Sequence, residues 1–187
     1  MRCFIAIDID DNIRAEIGNL QQQLQNKADI KKSDAKWVDP LQIHLTVRFI
    51  GEVDGATFLD IKAALEQIHM VPFPLALKGV GHFPPRGNPR VLWVGIEQSQ
   101  PLKSLKNRID GTLAGIGLKP EGRKFSPHIT LARLKNTPLQ KVANFLSGNG
   151  LFNQEPFQVD DFKLYSSTLT PKGAIHTVER VYPLCRD

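Results

Sequence analysis

Two copies of a His-x-Thr motif are the residues of this sequence best suited to chemistry. His44-Leu45-Thr46-Val47 lies in the first half and His128-Ile129-Thr130-Leu131 in the second. Side chains alternate between the faces of a β-strand, so in each copy the His and the Thr share one face while two apolar residues anchor the other. If the two strands lie side by side or about a local two-fold axis, their polar faces form a cleft. Two imidazoles could then exchange protons with a bound phosphate ester, and two hydroxyls could donate hydrogen bonds to its oxygens.

Strand and helix patterns follow a similar order in both halves of the chain. Apolar runs predict strands around the second motif and over residues 3–9, 43–50, 75–82, 90–97, 157–166 and 175–182. Apolar residues at helical spacing predict helices that begin at Asp10 or Asp11, Asp54, Pro101 and Pro138. His128 follows His44 by 84 positions, close to half the chain length, which indicates an internal duplication.

The repeat predicts an α+β fold with two lobes. We expect two mostly antiparallel sheets that face a central cleft, helices on the outside, and one His-x-Thr motif from each lobe. No change of composition marks a linker, so residues 1–187 are expected to form a single two-lobed domain.

The composition favours a globular protein with an anionic partner. A chain of 187 residues with 41% hydrophobic content can bury a core, and 24 Lys and Arg against 19 Asp and Glu give a net charge of +5. Cys3 and Cys185 form neither a disulfide framework nor a metal-ligand cluster. No apolar run approaches the ~18 residues of a membrane span. We therefore expect a cytoplasmic monomer without metal, cofactor, membrane association or obligate protein partner.

Longer stretches around both motifs carry a family resemblance. They are residues 37–52, 125–133 and 164–169, together with Gly81-His82-Phe83-Pro84 and residues 89–95 in the middle of the chain. These stretches closely resemble the 2′-5′ RNA ligase family, whose members are RNA 2′,3′-cyclic phosphodiesterases of the two-histidine (2H) phosphoesterase superfamily. One His-x-Thr is a weak signal, whereas two copies with family-like flanks and spacing are specific.

The resemblance implies metal-independent hydrolysis of a ribose 2′,3′-cyclic phosphate to a 2′-phosphate. Some members also join RNA ends through a 2′-5′ bond, with an RNA 5′-hydroxyl in place of water. His44 and His128 are then the acid–base pair, and Thr46 and Thr130 donate hydrogen bonds to the phosphate. By family analogy His128 is the base and His44 the acid, although the quasi-symmetric motifs do not by themselves distinguish these roles.

Further site residues follow from the same resemblance. Arg133 and Phe49, each five residues after a motif histidine, are implied to clamp the base next to the cyclic phosphate. An odd offset points away from the histidine on an ideal strand, so a bulge or strand end must turn both side chains into the cleft; core packing is the alternative for Phe49. Arg48 should share the face of His44 and bind a phosphate, or else lie at the rim as a solvated charge. Ser167 is implied to support the cleft without touching the substrate.

The remaining histidines and several basic residues are predicted to lie outside the catalytic centre. His69 and His176 are predicted to be structural, and His82 structural or peripheral. Residues in or beside loops could form a basic rim that steers RNA, or could be scattered surface charge: Arg86, Arg90, Lys124 and Lys172.

Three functions are compatible with the sequence. The first is a phosphodiesterase acting on RNA ends or cyclic nucleotides with a 2′,3′-cyclic phosphate. The second is a relative that acts on 2′-5′ oligonucleotides or another nucleotide-derived cyclic phosphate. The third is a non-catalytic module that binds RNA ends. Binding alone does not require two imidazoles, so the presence of both motifs favours an enzyme.

Overall fold

A computed structural model describes residues 1–27, 30, 34–135, 137–171 and 173–185. Within them lie ten strands, four α-helices and a short 3₁₀ helix, Pro40–Gln42. The helices are α1 (Asp11–Lys27), α2 (Gly55–Leu65), α3 (Gln100–Gly115) and α4 (Leu139–Asn149). The strands are β1 (Arg2–Asp8), β2 (Ala35–Trp37), β3 (His44–Glu52), β4 (Phe73–Leu75), β5 (Leu77–Phe83), β6 (Val91–Ile96), β7 (His128–Leu134), β8 (Phe157–Val159), β9 (Asp161–Thr170) and β10 (Gly173–Pro183). None of the described helices is long and apolar enough to cross a membrane.

Eight strands form one antiparallel sheet in the order β10-β9-β1-β3-β7-β6-β5, with β2 also paired to β7. The α+β class and the antiparallel pairing are therefore confirmed. The two predicted sheets, however, are hydrogen-bonded to each other, because the motif strands β3 and β7 pair at a single position, Leu45 with Ile129. Each motif strand would otherwise leave an unpaired edge in the middle of the molecule, and this joint covers part of it. Beyond the joint β2 takes over the edge of β7, from Ala132 to Leu134.

The helices cover the face of the sheet that carries the apolar motif residues. Leu45, Val47, Ile129 and Leu131 are buried in one cluster with the apolar stripes of all four helices. The opposite face, which carries the His and Thr side chains, is left open. Capping fixes the start of α2, since the side chain of Asp54 accepts a hydrogen bond from the backbone N–H of Thr57, as predicted.

A β-bulge interrupts both motif strands directly after the threonine. In β3 the partners of Thr46 and Arg48 are consecutive residues of β1, which leaves Val47 as the extra residue. In β7 the same shift leaves Leu131 as the extra residue. A bulge reverses the facing of the side chains that follow it, so it turns Phe49 and Arg133 onto the same face as the histidines. The predicted bulge is confirmed in both repeats.

Two short strands, β2 and β4, were not predicted as separate strands, and one predicted strand is divided in two. β4 and β8 form a separate two-stranded sheet, and β2 lies beside β7. The predicted strand over residues 157–166 is divided at Asp160, because β8 pairs with β4 while β9 joins the main sheet. Three-residue strands are too short to show a hydrophobic period.

Candidate active site

The four motif side chains line one cavity of about 1140 Å³ on the open face of the sheet. Antiparallel pairing of Leu45 with Ile129 brings His44 level with Thr130, and Thr46 level with His128. Each imidazole therefore lies beside a hydroxyl from the other lobe. The arrangement provides two nitrogen bases and two hydroxyl donors around a common space.

The two histidines are held in the same way by the backbone two residues before them. Nδ1 of His44 lies 2.8 Å from the carbonyl oxygen of Gln42, and Nδ1 of His128 lies 2.7 Å from that of Ser126. A carbonyl oxygen only accepts, so Nδ1 carries the hydrogen and Nε2 is the nitrogen left to exchange protons. The side chain of Arg14 binds the carbonyl oxygens of Pro40 and Ile43, which fixes the turn that carries Gln42.

Aromatic rings enclose His44. Its ring stacks on Phe4 at 5.0 Å, and the Tyr165 ring lies 6.0 Å away. The ring of His176 meets His44 edge-on at 5.4 Å. Burial among these rings lowers the pKa of His44 from 6.5 to about 4, and the charges of His176 and Arg14 act in the same direction, against the Gln42 hydrogen bond and Asp8.

His176 is a cleft residue that the sequence reasoning assigned to structure. It lines the same cavity as the motif residues, and its buried Nδ1 has no hydrogen-bond partner. Its neighbour across the hairpin is Ser167, which also lines the cavity. No spacing within the sequence indicates that His176 lies in the cleft, because β10 is brought close to the first motif only by strand pairing in the sheet.

A carboxylate beside His44 was also missed. Asp8 is the residue of β1 that pairs with His44, and it accepts hydrogen bonds from Lys163, at 2.6 Å, and from Tyr165. Burial alone would raise the pKa of Asp8, but these two donors outweigh it and hold the pKa below its usual value. A permanent negative charge therefore faces His44 and favours its protonated form.

His128 lies in a different apolar pocket. Phe83 meets its ring edge-on at 4.9 Å, and the Trp93 ring is 6.4 Å away. Trp93 lies flat over Gly81, where a Cβ would come within 2.3 Å of the indole, so that only glycine leaves room for this ring. Burial lowers the pKa of His128, and the charge of Arg133 adds to the effect.

Phe49 and Arg133 occupy equivalent positions in the two repeats, and both line the cavity. Phe49 is 54% exposed although it contacts Phe4, so it is not a core residue. The bulges that place these side chains on the cleft face make an aromatic ring available on one lobe and a guanidinium on the other. Planar groups of these kinds can stack on a nucleobase.

The prediction that Arg48 shares the face of His44 is wrong. The bulge at Val47 turns Arg48 to the helix side of the sheet, where it is only 5% exposed. There it donates to the carbonyl oxygen of Lys119 and lies near the carboxylates of Asp110 and Glu121. Arg48 is therefore neither a cleft residue nor a solvated rim charge.

The cavity lining is predominantly basic. Its charged members are Arg2, Lys36, Arg123, Lys124 and Arg133 against Asp39 and Glu121. Of the predicted basic rim, Lys124 lines the cavity, Arg86 and Arg90 do not, and Lys172 lies outside the described residues. No three His, Cys, Asp or Glu side chains within the described part of the chain come together as metal ligands.

A family model described as LigT like Phosphoesterase matches the chain twice in succession. The matches cover residues 7–93 and 94–176, and each contains one His-x-Thr motif. The predicted duplication into two lobes is thereby confirmed.

Full-length relatives and a solved structure agree with this match. The RNA 2′,3′-cyclic phosphodiesterase of Archaeoglobus fulgidus is 32% identical, over 97% of this chain and 99% of its own length. That of Thermotoga maritima is 35% identical, over 95% of this chain and 92% of its own. The crystal structure of TT0787 of Thermus thermophilus gives a TM-score of 0.83 at 28% identity and covers 98% of each chain.

Proposed function

Because this chain belongs to the LigT-like phosphoesterase family, we propose that it is an RNA 2′,3′-cyclic phosphodiesterase with His44 and His128 as its acid–base pair. The observation that carries the proposal is the pair of imidazoles, one from each lobe, on a common cavity with two threonine hydroxyls. In both imidazoles Nδ1 is bound to the backbone and Nε2 is left for proton exchange.

Opening of the cyclic phosphate requires one base and one acid. His128 takes a proton from water, the water oxygen attacks phosphorus, and the bond from phosphorus to the ribose 3′-oxygen breaks. His44 gives its proton to that oxygen, which leaves a 2′-phosphate and a 3′-hydroxyl. Thr46 and Thr130 donate hydrogen bonds to the non-bridging oxygens throughout, and their hydroxyls replace water in stabilising the developing charge.

Two of the charges beside the histidines agree with this division of roles. The Asp8 carboxylate next to His44 favours an imidazolium, as the acid requires, against the opposing charges of His176 and Arg14, and the Arg133 guanidinium near His128 favours the neutral ring of a base. Burial lowers both pKa values in the free protein, so the acid depends on the bound phosphate anion to favour its charged form. Arg133 and Phe49 hold the terminal base from opposite lobes, and Ser167 supports the wall next to His176.

The same groups can open the cyclic phosphate with a different nucleophile. When an RNA 5′-hydroxyl takes the place of water, attack on the cyclic phosphate forms a 2′-5′ bond and again releases the 3′-oxygen. The cavity of about 1140 Å³ exceeds the roughly 300–1,000 Å³ of small-molecule sites and leaves room for more than one nucleotide.

The direct test is incubation of the purified protein, with EDTA, with a short RNA that ends in a 2′,3′-cyclic phosphate. The expected product is an RNA with a terminal 2′-phosphate, identified by its chromatographic retention time in comparison with a 3′-phosphate standard. A second RNA with a 5′-hydroxyl, added to the same reaction, tests 2′-5′ joining. A 3′-phosphate product would contradict the mechanism. Tight binding without turnover would indicate a module that binds RNA ends, and turnover only of 2′-5′ oligonucleotides would indicate the other substrate class.

The pH dependence follows from the burial of both imidazoles. The reaction requires one neutral and one protonated ring, and in the free protein both pKa values lie below 6.5. We therefore expect a bell-shaped profile of kcat/KM, which reports the free enzyme, with its maximum below pH 6.5 and a decline through neutral pH. The phosphate anion raises the imidazole pKa values in the complex, so the alkaline limb of kcat should lie at higher pH. An alkaline limb of kcat/KM above pH 7.5 would contradict the expectation.

A further inference from the structure

The cations of the cleft are concentrated on one wall. Lys36 on β2, Arg133 on β7, and Arg123 and Lys124 on the loop before β7 line the cavity on the side of the second motif. Among the described lining residues, Arg2 is the cation of the opposite wall. The two lobes are related by duplication, so the cleft is nearly symmetric in its motif residues. The difference in charge makes its two sides chemically distinct.

Lys36 and Arg133 form a pair of like charges. They are directly opposite each other on the neighbouring strands β2 and β7. Like charges in this position destabilise a sheet. Within the described residues neither side chain forms an ion pair that would compensate for the repulsion. An anion bound between the walls would remove this cost, which makes the pair suited to a ligand.

The ammonium group of Lys36 extends to the opposite wall of the cavity. It lies 3.0 Å from the position that a Cβ on Gly173 would occupy, at the tip of the β9–β10 hairpin on the opposite wall. Its partner Arg133 lies three residues beyond Thr130, which is up to about 10 Å along a strand. A phosphate held between Thr46 and Thr130 therefore leaves Lys36 for a different phosphate.

We propose that Lys36 binds the phosphodiester that joins the terminal nucleotide of the RNA to the preceding one. The inference rests on the proposed function, since it takes the cyclic phosphate to lie between the two motifs. An ammonium group contacts a phosphate as a point charge and does not distinguish bases. The preferred substrates are accordingly oligonucleotides with a 2′,3′-cyclic end of any sequence, and cyclic mononucleotides, which lack the second phosphate, are poorer ones.

The test compares adenosine 2′,3′-cyclic phosphate with a trinucleotide that ends in the same group. The wild type is expected to have the higher kcat/KM for the trinucleotide. Lys36→Gln should lower that value about tenfold, as expected for loss of one charge-assisted contact, and leave the value for the mononucleotide unchanged. The salt dependence of trinucleotide binding should also fall by about 0.7 in log–log slope. Lys103→Gln, at an exposed position on α3 outside the cavity, is the matched control.

Two outcomes would overturn the proposal that Lys36 binds this phosphodiester. One is an equal loss on both substrates, which would indicate a general effect of charge, and the other is an unchanged trinucleotide value. If the wild type turns over neither substrate, the proposed function fails, and binding of the trinucleotide measured by fluorescence anisotropy takes the place of turnover. Tenfold weaker binding by Lys36→Gln would then still uphold the subsite, and equal binding would overturn it.

Discussion

His44→Ala and His128→Ala are each expected to lower kcat for a 2′,3′-cyclic phosphate RNA by about 10²- to 10⁴-fold, the contribution of a positioned acid or base. Binding of the RNA end should change little, because the threonines and the cationic wall are intact. The double variant should be only slightly slower than the worse single variant, since both groups act in one step. His69→Ala removes an exposed imidazole that does not line the cavity and should retain wild-type kcat.

The pH profiles of the two variants separate the roles of the histidines. A required neutral base gives the acid limb of the profile, and a required protonated acid gives the alkaline limb. His128→Ala should therefore lose the acid limb and His44→Ala the alkaline limb. The reverse pattern would exchange the two roles and leave the function unchanged, whereas kcat within threefold of wild type in both variants would contradict acid–base catalysis by this pair.

The sequence is most informative where a local spacing has a direct structural consequence. The paired motifs have the alternation of strands with one polar face, and both lie on the cavity. Phe49 and Arg133, at their odd offset, could reach the cleft only through a bulge or a strand end, and a bulge is present after each threonine. The same bulge also determines the facing of Arg48. A bulge that turns Phe49 towards the cleft necessarily turns its neighbour away.

Positions that depend on pairing between distant strands could not be predicted in this way. Asp8 faces His44 because β1 lies beside β3, and His176 reaches His44 from β10, on the far side of β9 and β1. Neither contact leaves a period or spacing in the sequence. The joint between Leu45 and Ile129 is of the same kind, since the edge pairing of two duplicated sheets follows from the three-dimensional packing alone.

Arg48 connects the first motif strand to the segment that carries the second motif. Arg48 and Lys106 are both 5% exposed, and Lys106 binds Asp110 at 2.9 Å and Glu121 at 3.1 Å. Arg48 lies 3.6 Å from Asp110 and 3.5 Å from Glu121 and donates to the carbonyl oxygen of Lys119. This cluster of two cations and two carboxylates holds the loop between α3 and β7. The loop includes Ser126, whose carbonyl oxygen orients His128.

Arg48→Met should therefore destabilise the fold and disturb the second motif. Removing one member of a buried ionic cluster costs about 3–5 kcal/mol, but Asp110 and Glu121 are 32% and 27% exposed and keep Lys106, so we expect a loss of about 2 kcal/mol. For a chain of this size that corresponds to a fall in Tm of about 4–8 °C. Lys103→Met, at an exposed position on α3, is the control and should change stability by less than about 0.5 kcal/mol.

A second substitution distinguishes this structural role from binding of RNA. In Arg48→Met the carboxylates of Asp110 and Glu121 are left with one cation between them. Neutralising one of them, as Glu121→Gln, should recover part of the lost stability, because the remaining charges are again balanced one to one. A phosphate-binding arginine would behave differently: Arg48→Met would weaken RNA binding at unchanged Tm, and Glu121→Gln would restore nothing. The sign of the interaction free energy in this double-mutant cycle, measured by denaturant unfolding, decides between the two roles.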